Sequence, residues 1–407
     1  MGRVQAQPEE WTNRIEKLQA RVREAGWQGC LVTQNIGIYY YTGTMQTGYL
    51  FVPAEGSPTF YVRRSLQRAE RESKVRTAEL ASFREFGKQL ANDYSQLACV
   101  VVGEPDKLVI GADLDVMPAQ LYVRLADAIP QAAVKDASSM LREARSMKSP
   151  YEIERISAAA NVAADGLEAG LASLKEGTTE LELMAVIENA MRLRGHIGLM
   201  RMRGYNQEIM TGVVAAGEAA AEPTYFDGPA GGRGLSEAAP QSASTRPIRR
   251  GEPILIDIGC CVDGYTIDQT RTAVIGELRP ELLFAYETAV SIIRGTETML
   301  KPGAIPEELY AEAMKMASEA GLLEHFMGYG RDQVKFLGHG IGLEIDEWPV
   351  LARGFRAPLE PGMVIAVEPK FTFPAWGVVG IENTYVVTET GCRPLTRSPE
   401  RLITLPL

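Results

Sequence analysis

The chain has 407 residues, of which 45% are hydrophobic and 23% charged, as in ordinary globular proteins. This length exceeds what one hydrophobic core usually serves, so we expect two domains. The formal net charge of −10 at pH 7 argues against nucleic acid as a partner, because phosphate backbones are bound by clustered lysine and arginine.

The cysteines and the apolar segments indicate the compartment. The five cysteines are scattered and contain no Cys-X-X-Cys pair, which argues against a disulfide framework or a zinc ribbon. The first residues lack the apolar segment of a signal peptide, and no run of about 18 apolar residues follows. We therefore expect a cytoplasmic protein with no membrane partner.

The first elements in chain order alternate between helical and β-type patterns. An amphipathic helix is predicted around Trp11, Ile15, Leu18 and Val22. Gly/Pro turns and helical segments separate the predicted strands, at residues 29–33, 39–41, 49–52, 59–62, 99–102 and 108–110. This order favours an α/β domain with a mixed sheet. Its boundary is predicted near residues 142–150, which gives domains of residues 1–145 and 146–407.

The second domain is predicted to open with a long helix and to contain an internal repeat. Ser149-Pro150 is a helix start signal before an alanine-rich helical pattern. Residues 174–195 align without gaps on residues 300–321, with seven identical positions. Any two amphipathic helices after a turn look alike, so the alignment alone leaves a duplication open. The β-type runs after each copy favour two related halves.

Two acids in neighbouring predicted strands carry the first chemical signal. Asp257 interrupts the apolar pattern of residues 254–258, where an unpaired carboxylate costs free energy. Asp263-Gly264 predicts a hairpin turn that brings Asp268 back beside Asp257. The alternative is that one Asp caps a turn and the other pairs with Arg271.

A histidine and two further acids follow. His339 lies between glycines, and imidazole is a common ligand of divalent transition metals, although a structural histidine is the alternative. Glu368 and Glu382 are single acids in apolar β-type runs, at residues 363–368 and 378–387. Four carboxylates and one imidazole favour two divalent cations, with Mn first and Fe, Co or Zn as alternatives.

The segments IDIGCCVDGYTIDQTRT, GHGIGLEIDE, MVIAVEPK and GIENTYVVTETG together resemble the metal motifs of the pita-bread metallopeptidases. This family contains Xaa-Pro aminopeptidases, prolidases, methionine aminopeptidases and creatinase, and the resemblance covers residues 151–407. YYYTG and EARSMKSPYEIERI resemble the creatinase/prolidase N-terminal domain. The resemblance implies an α/β (α+β) fold, in which a creatinase-like mixed-sheet domain precedes a pseudo-twofold pita-bread domain, and a homodimer.

The resemblance also implies roles for the five metal-ligand candidates. Asp257 would chelate one ion, Asp268 and Glu382 would bridge two ions, and His339 and Glu368 would complete the second site. The two ions would share a hydroxide nucleophile near neutral pH, and Glu368 would move the proton.

Three positions depart from the proline-specific pattern, which carries histidines that position the substrate. They are Thr224 in GEAAAEPTY, Lys335 four residues before His339, and Asp346 seven residues after it. We predict that Lys335 or Thr224 donates a hydrogen bond to the oxyanion and that Asp346 binds a substrate amine. Residues 226–234 are glycine-rich and are predicted to form a mobile loop, with a role in covering the site as the alternative.

The predicted function is therefore a dinuclear metal-dependent hydrolase of the Xaa-Pro dipeptidase or aminopeptidase type, with a small peptide or amino-acid-derived substrate. One alternative is a hydrolase or lyase of a small non-peptide amide or amino-acid derivative on the same fold. Another is a catalytically silent binding module, against which the retention of four carboxylates in apolar strands argues.

Overall fold

The computed structural model describes residues 9–98 and 108–406 and divides into two compact units, Met1–Arg145 and Ser146–Leu407. The predicted strand at residues 99–102 lies outside the described residues. No helix in the described ranges is long and apolar enough to cross a membrane.

The first unit has a six-stranded mixed sheet in the order β4-β3-β2-β1-β5-β6. Its strands are β1 (Gly29–Val32), β2 (Gly48–Pro53), β3 (Thr59–Val62), β4 (Arg76–Glu79), β5 (Leu108–Ala112) and β6 (Ala132–Asp136). Its helices are α1 (Glu9–Glu24), α2 (Asn35–Thr42), α3 (Leu66–Glu72), α4 (Phe86–Asp93), α5 (Ala119–Ala128) and α6 (Ser138–Ser146). The helix around residues 11–22 and four of the predicted strands are thus confirmed. The two edge strands, β4 and β6, were not predicted, because both are short and carry exposed charged residues.

The predicted strand at residues 39–41 is wrong, because these tyrosines belong to helix α2. The helix ends at Gly43, whose left-handed backbone (φ 76°) lets its N–H donate to the Tyr39 carbonyl. Tyr40 and Tyr41 are both buried, and the Tyr40 hydroxyl donates to the Ala144 carbonyl at 3.1 Å. The β preference of aromatic residues is a preference for half-buried packing surfaces, and here a helix supplies that packing.

The second unit carries four helices and eleven strands among its described residues. The helices are α7 (Pro150–Ser173), α8 (Glu180–Leu193), α9 (Pro280–Met299) and α10 (Pro306–Glu319). The strands are β7 (Gly212–Ala216), β8 (Ile254–Val262), β9 (Tyr265–Ile275), β10 (Phe336–Gly340), β11 (Glu347–Ala352), β12 (Val364–Val367), β13 (Lys370–Phe373), β14 (Gly377–Gly380), β15 (Asn383–Val387), β16 (Cys392–Pro394) and β17 (Ile403–Leu405).

These strands form three sheets, which carry the metal-ligand candidates. Their orders are β17-β9-β8-β7, β11-β10-β12-β15-β16 and β13-β14. The start of α7 is confirmed: Ser149 and Glu152 form a reciprocal capping box, with Pro150 in the first turn. A large apolar core packs α9 and α10 against the second and third sheets. The sheets are therefore rigid supports for the side chains at their ends.

The two aligned segments adopt the same local structure. Helices α8 and α10 each have 14 residues, and the shift of 126 residues that aligns the segments also relates both ends of the two helices. Gly177 and Gly303, which precede the helices, share a left-handed backbone with φ of 86° and 85°. Strands follow each helix, as expected for two related halves.

His196 has a structural role that makes the stability of this unit depend on pH. Its ring is buried, and Nδ1 accepts a hydrogen bond from the Cys261 N–H at 2.9 Å. Burial is the main cause that lowers the pKa of His196. The unfolded chain therefore binds this proton more readily than the folded chain, so the free energy of unfolding falls as the pH drops below about 6.5.

We expect His196→Asn to reduce this pH dependence, because asparagine keeps an acceptor for the Cys261 N–H and cannot be protonated. The measurement is the urea-unfolding midpoint of wild type and variant between about pH 8 and about pH 5. The difference between the two midpoints at about pH 8 measures any loss of stability that the substitution causes independently of pH. A parallel loss of stability in both proteins on acidification would contradict the prediction.

Candidate metal centre

A tight hairpin places Asp257 and Asp268 on one face of a sheet. Strands β8 and β9 are joined by Asp263 and Gly264, both with left-handed backbones (φ 51° and 90°), which confirms the predicted turn. Asp268 pairs with Gly259, and Asp257 pairs with Thr270. Because side chains alternate between faces with a period of two, the two aspartates point to the same side.

The other three candidates come from the neighbouring sheet. His339 lies in β10, and Glu368 directly follows β12, which pairs with β10 through Gly338 and Val367. Gly338 is required for this approach, since a Cβ there would lie 2.0 Å from the Ala366 carbonyl oxygen. Glu382 lies between β14 and β15 and bridges to Thr270 of β9. The sheet that contains β8 and β9 and the sheet that contains β10, β12 and β15 thus bring their acidic side chains together.

The ligand atoms of three candidates are close enough to share one cation. One atom each of Asp268, His339 and Glu382 lies within 4.8 Å of the other two. The His339 Nε2 atom also lies 3.4 Å from Glu368 Oε1. Four of the five predicted side chains are therefore brought together here, and Asp257 joins the same cluster through Lys370.

Lys370 is a member of this cluster that the sequence analysis missed. Its side chain is 0% exposed, and Nζ lies 2.6 Å from Glu368 Oε2, 3.2 Å from Asp257 Oδ2 and 3.2 Å from Glu382 Oε2. A signal was present: Lys370 is a charged residue in an apolar run, two positions after Glu368 and so on the same face of an extended chain.

The acids of the cluster repel one another. Burial is the first cause that raises the pKa of Asp268 well above its ordinary value, and Glu382 and Asp257 add to it. Burial also raises the pKa of Glu382 to about 7, although Lys370 opposes the shift. On Glu368, Lys370 and His339 outweigh burial and hold the pKa at about 2. A further cation near Asp268 and Glu382 would stabilise their ionised forms.

The donor set fits a divalent metal ion. Carboxylate oxygens and one imidazole suit Mn, Fe, Co or Zn. Glu382 Oε1 is buried and has no hydrogen-bond partner among the described residues, although its Oε2 accepts from Thr270 and Lys370. Such an orphaned oxygen is costly unless a cation meets it.

A cavity of about 210 Å³ opens onto the cluster. Asp257, Asp268, His339 and Glu368 line it, and so does Asp346. Thr224 and Lys335 are not among its described lining residues. The Thr224 hydroxyl accepts a hydrogen bond from the Phe226 N–H at 3.2 Å, and Lys335 is exposed. Of the three substrate-side candidates, Asp346 alone is placed at the cavity.

The glycine-rich loop of residues 226–234 contributes to the same cavity. Its residues 226–230 line the cavity together with the acids of the sheets, and the Pro229 carbonyl accepts from the Thr372 hydroxyl at 3.0 Å. Arg233 pairs with Glu218 and Glu222. The loop is thus tied to β13 and to the chain before it.

Comparison with known proteins shows the family. The sequence model of metallopeptidase family M24 matches residues 154–389, which is more than half of the chain. The chain belongs to metallopeptidase family M24. The creatinase/prolidase N-terminal domain matches residues 14–147 of this M24 chain. The family implies divalent metal ions.

Relatives of this M24 chain match it over nearly its whole length. An Xaa-Pro dipeptidase of Pyrococcus furiosus is 27% identical over 96% of this chain and 99% of its own. The crystal structure of a Pyrococcus horikoshii prolidase has a TM-score of 0.78 at 26% identity, covering 96% of this chain and 100% of its own. That of the dipeptidase PepE of Mycobacterium ulcerans has a TM-score of 0.80 at 25% identity, covering 99% and 100%. These findings confirm the predicted family, the fold with a creatinase-like domain before a pita-bread domain, and a peptidase-type hydrolase.

Proposed function

We propose that this chain is a metal-dependent dipeptidase that hydrolyses Xaa-Pro dipeptides. The observation that carries the proposal is the cavity of about 210 Å³ with Asp268, His339 and Glu368 in its wall. This volume suits a small substrate rather than a folded protein. The dipeptidase and prolidase relatives support the same substrate class, and no observation favours the non-peptide hydrolase or the silent binding module.

We propose that Asp268, His339 and Glu382 hold a divalent ion, with Mn first among Mn, Fe, Co and Zn. Such an ion lowers the pKa of a water molecule and polarises a carbonyl oxygen, which supplies a nucleophile and a Lewis acid near neutral pH. The residues that line the cavity then position the dipeptide. The homodimer and the cytoplasmic location stay predictions.

Glu368 is the residue that we assign to proton transfer. It lines the cavity, its Oε2 accepts from Lys370 at 2.6 Å, and its Oε1 lies 3.4 Å from His339 Nε2. One oxygen is thus held in place while the other lies beside the ligand histidine. Proton transfer needs such a fixed carboxylate within reach of the reacting atoms.

A metal-exchange experiment tests the function. The protein is stripped with a chelator, reloaded with Mn, Fe, Co or Zn, and assayed on Xaa-Pro dipeptides and the matching Xaa-Ala dipeptides. We expect no hydrolysis after stripping, recovery on reloading, and a preference for proline in the second position. A fully loaded protein that hydrolyses no dipeptide would contradict the proposal.

We propose that Asp346 binds the terminal amine of the substrate. It lines the cavity, and burial, followed by the charge of Glu344, raises the pKa of Asp346, although His339 and the Arg203 N–H oppose the shift. Asp346→Asn is expected to raise KM by about 10- to 100-fold with a smaller change in kcat, because a hydrogen bond to a charged group is lost in both ground and transition states.

Steady-state kinetics on one Xaa-Pro dipeptide measure this effect. Asp332→Asn is the matched control, since Asp332 is exposed and is not among the described lining residues. An unchanged KM in Asp346→Asn, or an equal fall in kcat and kcat/KM, would show that Asp346 does not bind the amine.

A further inference from the structure

We infer that the Lys370 ammonium takes the place of a second metal ion, so that this centre binds one divalent ion per chain. The inference rests on the proposed metal-dependent function and concerns the number of ions. It departs from the two ions that the family resemblance implies, one of them on Asp257.

The first observation is that the ammonium is fully engaged by the acids. An ammonium group has three donors and no acceptor. Its three carboxylate partners, Glu368, Asp257 and Glu382, lie at 2.6, 3.2 and 3.2 Å from Nζ. The side chain is completely buried, so no water competes for these donors. The position of Nζ is therefore one that three acids surround, as they would surround a metal ion.

The second observation is that the surrounding backbone leaves room for this side chain. Lys370 begins β13 and pairs with Gly380 of β14. A Cβ on Gly380 would lie 2.6 Å from the Lys370 Cγ atom and 2.8 Å from its Cα. The bare glycine is thus required for the lysine stem to pass to the acids, which ties the cation to its site by packing as well as by charge.

The third observation concerns Glu382, which must offer both oxygens to bridge two ions. Its Oε2 already accepts from the Thr270 hydroxyl at 2.8 Å and from Lys370 at 3.2 Å. A carboxylate oxygen has about two lone-pair sites, so both sites on Oε2 are occupied. Only Oε1 is left without a partner among the described residues. Glu382 can therefore ligate an ion through Oε1, but its Oε2 is not available to a second ion on the side of Lys370.

The fourth observation is the position of Asp257, the first ligand of the predicted second ion. Its Oδ2 atom lies 3.2 Å from the ammonium, and Asp257 is not among the three residues whose ligand atoms lie within 4.8 Å of one another. An ion bound to Asp257 Oδ2 at the usual metal–oxygen distance of about 2.0–2.2 Å would compete with the ammonium for that oxygen and would be repelled by the ammonium charge. The candidate ligands that remain for one ion are Asp268, His339 and the Oε1 atom of Glu382.

The inference predicts what each cation does. Lys370 neutralises charge and orients Glu368 and Asp257, which are hydrogen-bond roles that a fixed ammonium can fill. It cannot act as a Lewis acid, so activation of water falls to the single ion on Asp268, His339 and Glu382. Lys370 is in this sense a positioning residue.

The test is the metal content and the electron paramagnetic resonance spectrum of the full chain loaded with Mn(II) alone. Wild type is expected to retain one Mn(II) per chain after gel filtration and to show the spectrum of an isolated ion. Lys370→Met replaces the ammonium by an apolar side chain of similar length and frees Asp257 Oδ2 and Glu382 Oε2. We expect this variant to retain two ions per chain with a spin-coupled spectrum.

Lys301→Met is the matched control, since Lys301 is exposed, and it should retain one ion. Two spin-coupled ions in wild type would overturn the inference while leaving the metal-dependent function intact. One ion in both wild type and folded Lys370→Met would also overturn it, because the count would not depend on Lys370. No bound ion in wild type would instead defeat the proposed function. Should Lys370→Met fail to fold, the wild-type ratio and spectrum still decide between one ion and two.

Discussion

Replacing Asp268 by asparagine is expected to lower kcat/KM for dipeptide hydrolysis by about 10³-fold or more and to weaken binding of the divalent ion. Asp268 shares with His339 and Glu382 the set of ligand atoms that lie within 4.8 Å of one another. Asparagine has nearly the same shape but no charge, so the fold should persist. A Lewis acid supplies several kcal/mol of transition-state stabilisation, and each 1.36 kcal/mol is a factor of ten in rate.

The measurement is kcat/KM together with metal content after gel filtration, for wild type and for Asp268→Asn. Asp332→Asn is the control for the same chemical change at an exposed position. It should keep both the ion and the activity. A folded Asp268→Asn protein that retains its ion and more than a tenth of the activity would show that Asp268 is not a ligand.

Replacing Arg271 by methionine is expected to lower the free energy of unfolding by about 3–5 kcal/mol. Arg271 is 0% exposed and donates five hydrogen bonds. Its acceptors are the carbonyl oxygens of Thr270, Glu382, Ser398 and Pro399 and the side-chain oxygen of Asn383. Methionine fills similar space but takes the guanidinium donors away from buried acceptors such as the Glu382 carbonyl and the Asn383 side chain, which is the costly part of the change.

Arg271 also holds the backbone of Glu382, through a bond of 2.7 Å to its carbonyl oxygen, so the variant should bind the divalent ion less tightly. Urea unfolding followed by tryptophan fluorescence measures the stability, with Trp348 and Trp376 reporting on this unit. Arg271→Lys keeps the charge with at most three donors and should give an intermediate loss.

Arg356→Met is the control for Arg271→Met, because Arg356 is 77% exposed and pairs with Glu307 at the surface. Arg356→Met should lower the free energy of unfolding by about 1 kcal/mol or less. If Arg271→Met lowered the free energy of unfolding by a similarly small amount, water or rearranged side chains would satisfy the acceptors. The five hydrogen bonds of Arg271 would then not be a major source of stability.

The acids of the site could be predicted because their signal is local. Asp257, Glu368 and Glu382 each interrupt an apolar β-type run, and a buried carboxylate in such a run must meet a cation. The Asp263-Gly264 turn is also a local signal, and the observed register across β8 and β9 follows from it. The distance between acids on different strands, such as Asp268 and Glu382, could not be predicted, because it depends on how the strands pack.

Lys370 shows the limit of reasoning by separate motifs. Each acid in an apolar run predicts a cation nearby, and a lysine two residues after Glu368 is itself such a cation. Whether its long side chain reaches the acids or solvent depends on what lies across the sheet. Here Gly380 lets the stem pass inward, and this depends on the pairing of β13 with β14.

The substrate-side residues were the least predictable part of the site. Their prediction rested on positions relative to a family pattern, and only Asp346 among the three lines the cavity. Thr224 instead accepts a backbone hydrogen bond at the base of the glycine-rich loop. Cavity walls are built from loops whose course is set by distant contacts, such as that of Pro229 with Thr372.

The sequence by itself determined the five candidate ligands and the turn between two of them, because turn residues and isolated charges in apolar runs act over a few neighbouring residues. The resemblance of its motifs to the pita-bread metallopeptidases then implied the family and the order of the two folds. Tertiary structure alone decided that residues 39–41 form a helix, that Lys370 meets three acids, and that one oxygen of Glu382 has no hydrogen-bond partner among the described residues. These outcomes depend on which strands and helices pack together, since burial and hydrogen-bond partners are properties of the assembled chain.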